Sequence, residues 1–116
     1  MLFLSDKDRI NLTSILESVN KIKNFTEGIA SSKEFYEDEK TFDSVLMNFI
    51  VIGESVAKLS EDIRERYPQV EWNKIKSFRN ITAHNYFGID EEEVWQLISS
   101  HLPSLDQEIR KILNQE

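Results

Sequence analysis

The sequence predicts an all-α protein, an antiparallel bundle of about four to six helices. Hydrophobic residues fill 40% of the 116 positions, and only 3 Gly and 2 Pro occur, a composition suited to continuous helix and unlike disordered or collagenous chains. Apolar residues recur at steps of three and four through most of the length. Side chains that cap helix N-termini stand just before several of these runs.

Ser5 followed by Asp8 is a helix start, and Leu12, Ile15, Leu16, Val19, Ile22 and Ile29 recur at near-helical spacing, so a long first helix is expected to about Gly28. Residues 30–40 break the period with Ser31, Ser32 and the acidic run Glu37, Asp38, Glu39, and read as a connection with room for one short turn. From Thr41 to about Leu59 two apolar stripes run side by side, Val45, Phe49, Ile52, Val56, Leu59 and Leu46, Ile50, Gly53, Ala57. A helix apolar over so much of its circumference is central, and Gly53 and Ala57 would let another backbone approach, from the same chain or from a second copy. Ser60 opens a short helix that ends near Tyr67, because Pro68 disfavours helix at the residue before it. Trp72 begins the next element. Asp90 with Glu91, Glu92 and Glu93 starts the last helix, whose apolar face is Val94, Leu97, Ile98, Leu105, Ile109 and Ile112 and which Pro103 kinks or divides. A single domain over residues 1–116 is expected, with no internal repeat.

Composition also narrows the function. Without Cys there are no disulfides, thiolate nucleophiles or sulfur-rich metal sites, which suits a reducing cytoplasm. The N-terminal residues lack the apolar length of a signal peptide, and the stretch Val45 to Ile52 is far shorter than the roughly 20 apolar residues that span a bilayer. A soluble, cytoplasmic protein without membrane attachment is expected. A formal charge of −7 argues against a general nucleic-acid coat. The distribution differs, however: from Arg64 to Tyr86 the bases Arg64, Arg66, Lys74, Lys76 and Arg79 face only Glu65 and Glu71, a formal +3, which leaves −10 on the remainder. Such a segment can hold a phosphate locally, while the acidic body repels long nucleic acid and favours a basic partner; ordinary solvated helix charges account for the pattern equally well.

If residues 73–86 form one α-helix at about 100° per residue, then Ile75, Phe78, Ile81 and Thr82 point to the core. The opposite arc, about 140° wide, carries Arg79, Ala83, Lys76, Asn80 and His84. Arg79 and His84 rise about 7.5 Å relative to each other, so they flank a ligand and do not bond each other. A His with an ordinary pKa of ~6.5 exchanges protons near neutrality, and Arg offers a fixed fork of donors to phosphate oxygens. RNA brings its own nucleophile, the 2′-hydroxyl. Neither a metal nor another cofactor is then required in principle, and a 2′,3′-cyclic phosphate and a 5′-hydroxyl are the expected ends. An Arg, an Asn and a His near a helix end more often serve as ion pair, cap and dipole partner, and spacing alone does not overturn that reading.

The pattern Arg79, Asn80, three residues, His84, one residue and Tyr86 resembles the Arg-x4-His-x-Tyr signature of HepT-like HEPN toxins. Ile52-Gly53-Glu54, Tyr67-Pro68, Trp72, Tyr86-Phe87-Gly88, Val94-Trp95 and Leu102-Pro103 resemble that family's landmarks in order, over about residues 40–113. The first helix agrees in pattern only. The resemblance implies a HEPN helical bundle that dimerises so that two Arg-His sets face one cleft, forming a metal-independent endoribonuclease with Arg79, Asn80 and His84 in the active site. It implies as partner a minimal nucleotidyltransferase antitoxin of the MntA kind, which transfers AMP to Tyr86 and so places negative charge where RNA phosphate binds. Apart from the family, Tyr86 reads equally as a partly buried aromatic. Lys76 is expected to support phosphate binding. Glu54 either orients Arg79 or another base or, as the commoner case, is a buried carboxylate with a structural partner. His101 lacks a partner pattern, and two histidines do not make a His-rich metal site. The alternative function is a noncatalytic HEPN subunit that binds nucleotide or completes the substrate site of a separate nucleotidyltransferase, using Arg79 and Lys76 to grip phosphate.

Overall fold

The computed structural model describes residues 4–80 and 91–115. The first helix, α1 (Asp6–Thr26), begins as its sequence dictates, with the Ser5 hydroxyl accepting from the Asp8 amide at 3.0 Å. Leu12, Ile15, Val19 and Ile22 step by three and four onto one buried face. After Thr26 the chain turns through Gly28, whose φ of +86° suits a residue without a Cβ.

Residues 30–40 hold more structure than the broken apolar period suggests. A six-residue helix, α2 (Ser32–Glu37), is capped by Ser31 and hands directly to α3 (Glu39–Ala57) through Asp38, which accepts from the Thr41 amide at 3.2 Å. One fully buried ring, Phe35, holds α2 in place, packed at 5.1 Å from Phe42 and 5.4 Å from Trp95. A single anchor leaves no period to read, which is why the sequence shows only a connection there.

Helix α3 is the central element, burying Phe42, Val45, Leu46, Phe49, Ile52 and Val56. It runs antiparallel to α1, since Ser55 bonds Ser14 at 3.1 Å while Ser60, further along, bonds Asp8. Asp8 is buried and accepts from both the Ser60 amide (2.9 Å) and the Ser60 hydroxyl (2.6 Å). The residue in the first turn of α1 thus fixes the N-cap of α4 (Glu61–Arg66), which ends at Tyr67 before Pro68, as expected. The Trp72 indole then closes the corner by donating to the Tyr67 carbonyl at 2.9 Å.

Trp72 opens α5 (Trp72–Lys76), but the continuous α-helix expected over 73–86 does not form: after Lys76 the chain tightens into a 3₁₀ turn at Ser77–Asn80. Residues 81–86 of that expected helix lie outside the described residues. Beyond them come α6 (Glu91–Gln96), a π-turn (Leu97–His101) and α7 (Leu102–Gln115). The π-turn shows how Pro103 is accommodated. Proline offers no amide and its ring crowds the carbonyl four residues earlier, and the helix widens just before it, with the Leu102 amide reaching back to Leu97 O. Leu102, Leu105, Ile109 and Ile112 of α7 are buried against α1. Among the described residues no helix is long and apolar enough to cross a membrane.

Candidate functional site

Of the predicted site residues, Lys76, Arg79 and Asn80 sit on the α5–3₁₀ segment and Glu54 on α3, and three contacts set where the α5–3₁₀ segment lies. Phe78 enters the core edge-on to Phe49 of α3, with ring centroids 5.1 Å apart and planes at 88°. Ile75 is buried beside it. The third contact is backbone on backbone: Gly53 of α3 lies directly under the 3₁₀ turn. A Cβ on Gly53 would overlap the Arg79 amide nitrogen and stand 2.9 Å from the Lys76 carbonyl oxygen and 3.0 Å from Arg79 Cβ. The close approach that the small residues of α3 permit is therefore made, at Gly53, by the same chain.

The 3₁₀ geometry alters the expected arc. The turn Ser77–Asn80 winds at about three residues per turn, so the step from Lys76, the last residue of α5, to Arg79 comes closer to a full turn than the roughly 300° of an α-helix. Arg79 and Asn80 are exposed and Lys76 is half-buried. Among the described residues the Arg79 guanidinium has no ion pair, and an exposed guanidinium is a ready partner for an incoming anion. The Ser77 hydroxyl donates to the Lys74 carbonyl at 2.5 Å and helps close the turn. His84 and Tyr86 lie outside the described residues.

Glu54 is not a buried carboxylate. The helical step from buried Gly53 carries it to the exposed side of α3, and among the described residues its side chain bonds neither Arg79 nor another base. His101 does have a partner, which sequence spacing could not show: its Nε2 lies 2.7 Å from Lys74 Nζ, joining the π-turn to α5 across 27 positions. Among the described residues no cluster of three or more His, Asp or Glu side chains is placed to hold a metal ion.

An exposed Arg79, without an ion pair among the described residues and beside Asn80 on a turn seated against Gly53, is the arrangement of a surface able to receive an anion. Comparison with known proteins gives it a family: the profile of the ribonuclease HepT-like family matches residues 15–112. The chain belongs to the HepT-like family. A Methanocaldococcus jannaschii protein provisionally named an RNase is 37% identical over 105 residues, covering 90% of this chain and 86% of that one. A Thermococcus cleftensis protein provisionally named ribonuclease HepT is 29% identical over 101 residues, covering 87% and 91%. A longer M. jannaschii protein, whose name joins gamma-glutamylcyclotransferase to a provisional RNase, is 30% identical over 107 residues, covering 92% of this chain but 48% of its own length. No solved structure matches the chain significantly. The all-α fold, without strands among the described residues, agrees with this HepT-like membership.

Proposed function

We propose that this HepT-like protein is a metal-independent endoribonuclease toxin, acting as a homodimer at a site built from Arg79, Asn80 and His84. The observation that carries the reading is the exposed Arg79–Asn80 pair on a turn locked to α3 at Gly53, in a chain of this family. In this chemistry the 2′-oxygen of RNA attacks the adjacent phosphorus and the P–O5′ bond breaks. His84 takes the 2′-hydroxyl proton or returns one to the departing 5′-oxygen. Arg79 and Asn80 hold the charge that builds on the phosphoryl oxygens, with Lys76 about a turn earlier adding to the phosphate grip. A second copy bringing its own Arg-His set opposite would enclose the strand.

In the same reading Tyr86 is the control point. A minimal nucleotidyltransferase antitoxin would transfer AMP from ATP to its hydroxyl, releasing pyrophosphate, and the added phosphate would compete with RNA at Arg79. Cytoplasmic location follows from such a partnership and such a substrate.

Expression in a bacterial host tests this directly. Wild-type protein alone should arrest growth, Arg79→Ala and His84→Ala should not, and co-expressed antitoxin should relieve arrest by the wild type but not by Tyr86→Phe. Rescue of Tyr86→Phe by catalytic antitoxin would remove the role of Tyr86. Binding of RNA or nucleotide by folded wild-type protein, with neither growth arrest nor cleavage, would select the noncatalytic subunit instead.

A further inference from the structure

A cleft of about 270 Å³ lies between α5 and the π-turn with α7, on the side of the catalytic segment that the chemistry above leaves unused. Its floor is apolar and includes Ile75, Phe78 and Leu105. Its two rims are polar and unlike each other. On one rim Lys74 Nζ lies 2.7 Å from His101 Nε2. An ammonium only donates, so Nε2 accepts and the ring proton is on Nδ1, which is buried and among the described residues has no hydrogen-bond partner. On the other rim the Gln69 amide donates to Glu108 Oε2 at 3.3 Å, which leaves the second carboxylate oxygen open to a further donor.

These groups select against a phosphate. Lys74 is already shared with Glu71 at 3.9 Å, and Glu108 adds a second negative charge. What fits is a neutral, flat group with N–H donors at one edge and lone pairs at another. The volume falls just short of the roughly 300–1,000 Å³ that drug-sized ligands occupy, so there is room for one ring system. The floor residue Phe78 directly precedes Arg79 in the chain. We infer that the cleft is a base subsite: one nucleobase of the RNA strand whose phosphate lies at the Arg79 turn enters between Lys74 and Glu108. Glu108 accepts from the base's exocyclic amino group, and Lys74, with one donor left beyond His101 and Glu71, donates to a ring nitrogen or carbonyl oxygen. Adenine, cytosine and guanine carry such an amino group and uracil does not, so Glu108 sets a preference against uracil.

The inference rests on the ribonuclease reading, and its test separates the two. Amide shifts of the isotope-labelled full chain are followed by NMR during titration with adenosine, cytidine, uridine, and a short oligonucleotide made uncleavable by 2′-deoxy substitution; cleavage of natural RNA is measured in parallel. Adenosine and cytidine should move resonances of Ile75, Phe78, Ser100 and Leu105 and bind roughly tenfold more tightly than uridine. The oligonucleotide should move these and the Arg79 turn together. Glu108→Gln, close in shape and half-buried, should keep the fold and lose most of the discrimination. Shifts confined to the Arg79 turn, or equal affinity for uridine and adenosine in both proteins, would overturn the subsite while leaving the nuclease intact. Nucleoside binding that the oligonucleotide never reproduces would overturn the strand assignment and make the cleft a free-nucleoside site. Wild-type protein that binds bases as described but cuts no RNA would contradict the ribonuclease reading and support the cleft's base recognition.

Discussion

Gly53 matters because it has no side chain. Its backbone touches that of Arg79 so closely that a single methyl group has nowhere to go without moving the 3₁₀ turn. Overpacking of this kind costs about 1–3 kcal/mol, so Gly53→Ala should lower stability by that amount in urea unfolding and reduce RNA cleavage far more than the stability loss explains. Unchanged unfolding with full activity would mean that the turn is not seated as described. Asp8 is the second residue whose contacts decide structure. Its carboxylate accepts two hydrogen bonds from Ser60 in a buried setting, and Asp8→Ala leaves those donors unpaired. A loss of about 1–3 kcal/mol is expected by denaturant titration. Local signals make Ser5 and Ser60 readable as helix starts, because a cap and its helix are neighbours in sequence. The Asp8–Ser60 and Lys74–His101 links span 52 and 27 positions, and nothing in a single sequence marks such pairs. Glu54 misleads for a related reason: an apolar helix suggests burial, but one exposed strip suffices to release a single carboxylate.

Among the elements, the long helices are legible from their apolar periods, and their ends from Ser5, Ser60, Pro68 and Trp72. Two short pieces are not. Phe35 is the one buried residue of helix α2, and Phe35→Ala should cost about 3–5 kcal/mol and loosen α6, to which α2 is joined by the Phe35–Trp95 contact and by the Ser32–Glu92 hydrogen bond at 2.6 Å. Hydrogen exchange should register this as lost protection in α2 and α6 before α1 or α3. The change from α to 3₁₀ after Lys76 is invisible to a helical wheel, because Ile75 and Phe78 face the core under either geometry. It is the turn's fit onto Gly53 and Phe49 that accompanies the tighter winding. The candidate site is therefore legible as residue types and approximate face, through Arg79, Asn80 and Lys76, while its local geometry is set by a partner helix some 25 residues earlier.

At the scale of the whole molecule, a body of formal charge −10 carries one segment of +3. RNA affinity should then rest on few phosphates. With Lys76 and Arg79 as the main contacts, the log–log dependence of binding on salt should have a slope of about −1.4, near −0.7 for each phosphate of a single strand. Lys76→Ala should reduce it by about half. A slope several times steeper would place the substrate on a wider surface than the one proposed. The dimer proposed here should appear in solution as twice the chain mass by light scattering, with an equal loss of activity and dimer on dilution. The proposed function turns on one chemical point, that the RNA's own 2′-oxygen is the nucleophile, assisted by Arg79 and His84. The chemistry of the cut ends, after incubation of purified protein with RNA in EDTA, decides it. Those ends should be 2′,3′-cyclic phosphate and 5′-hydroxyl, absent with folded His84→Ala; 5′-phosphate ends, or intact RNA with folded wild-type protein, would refute the proposal.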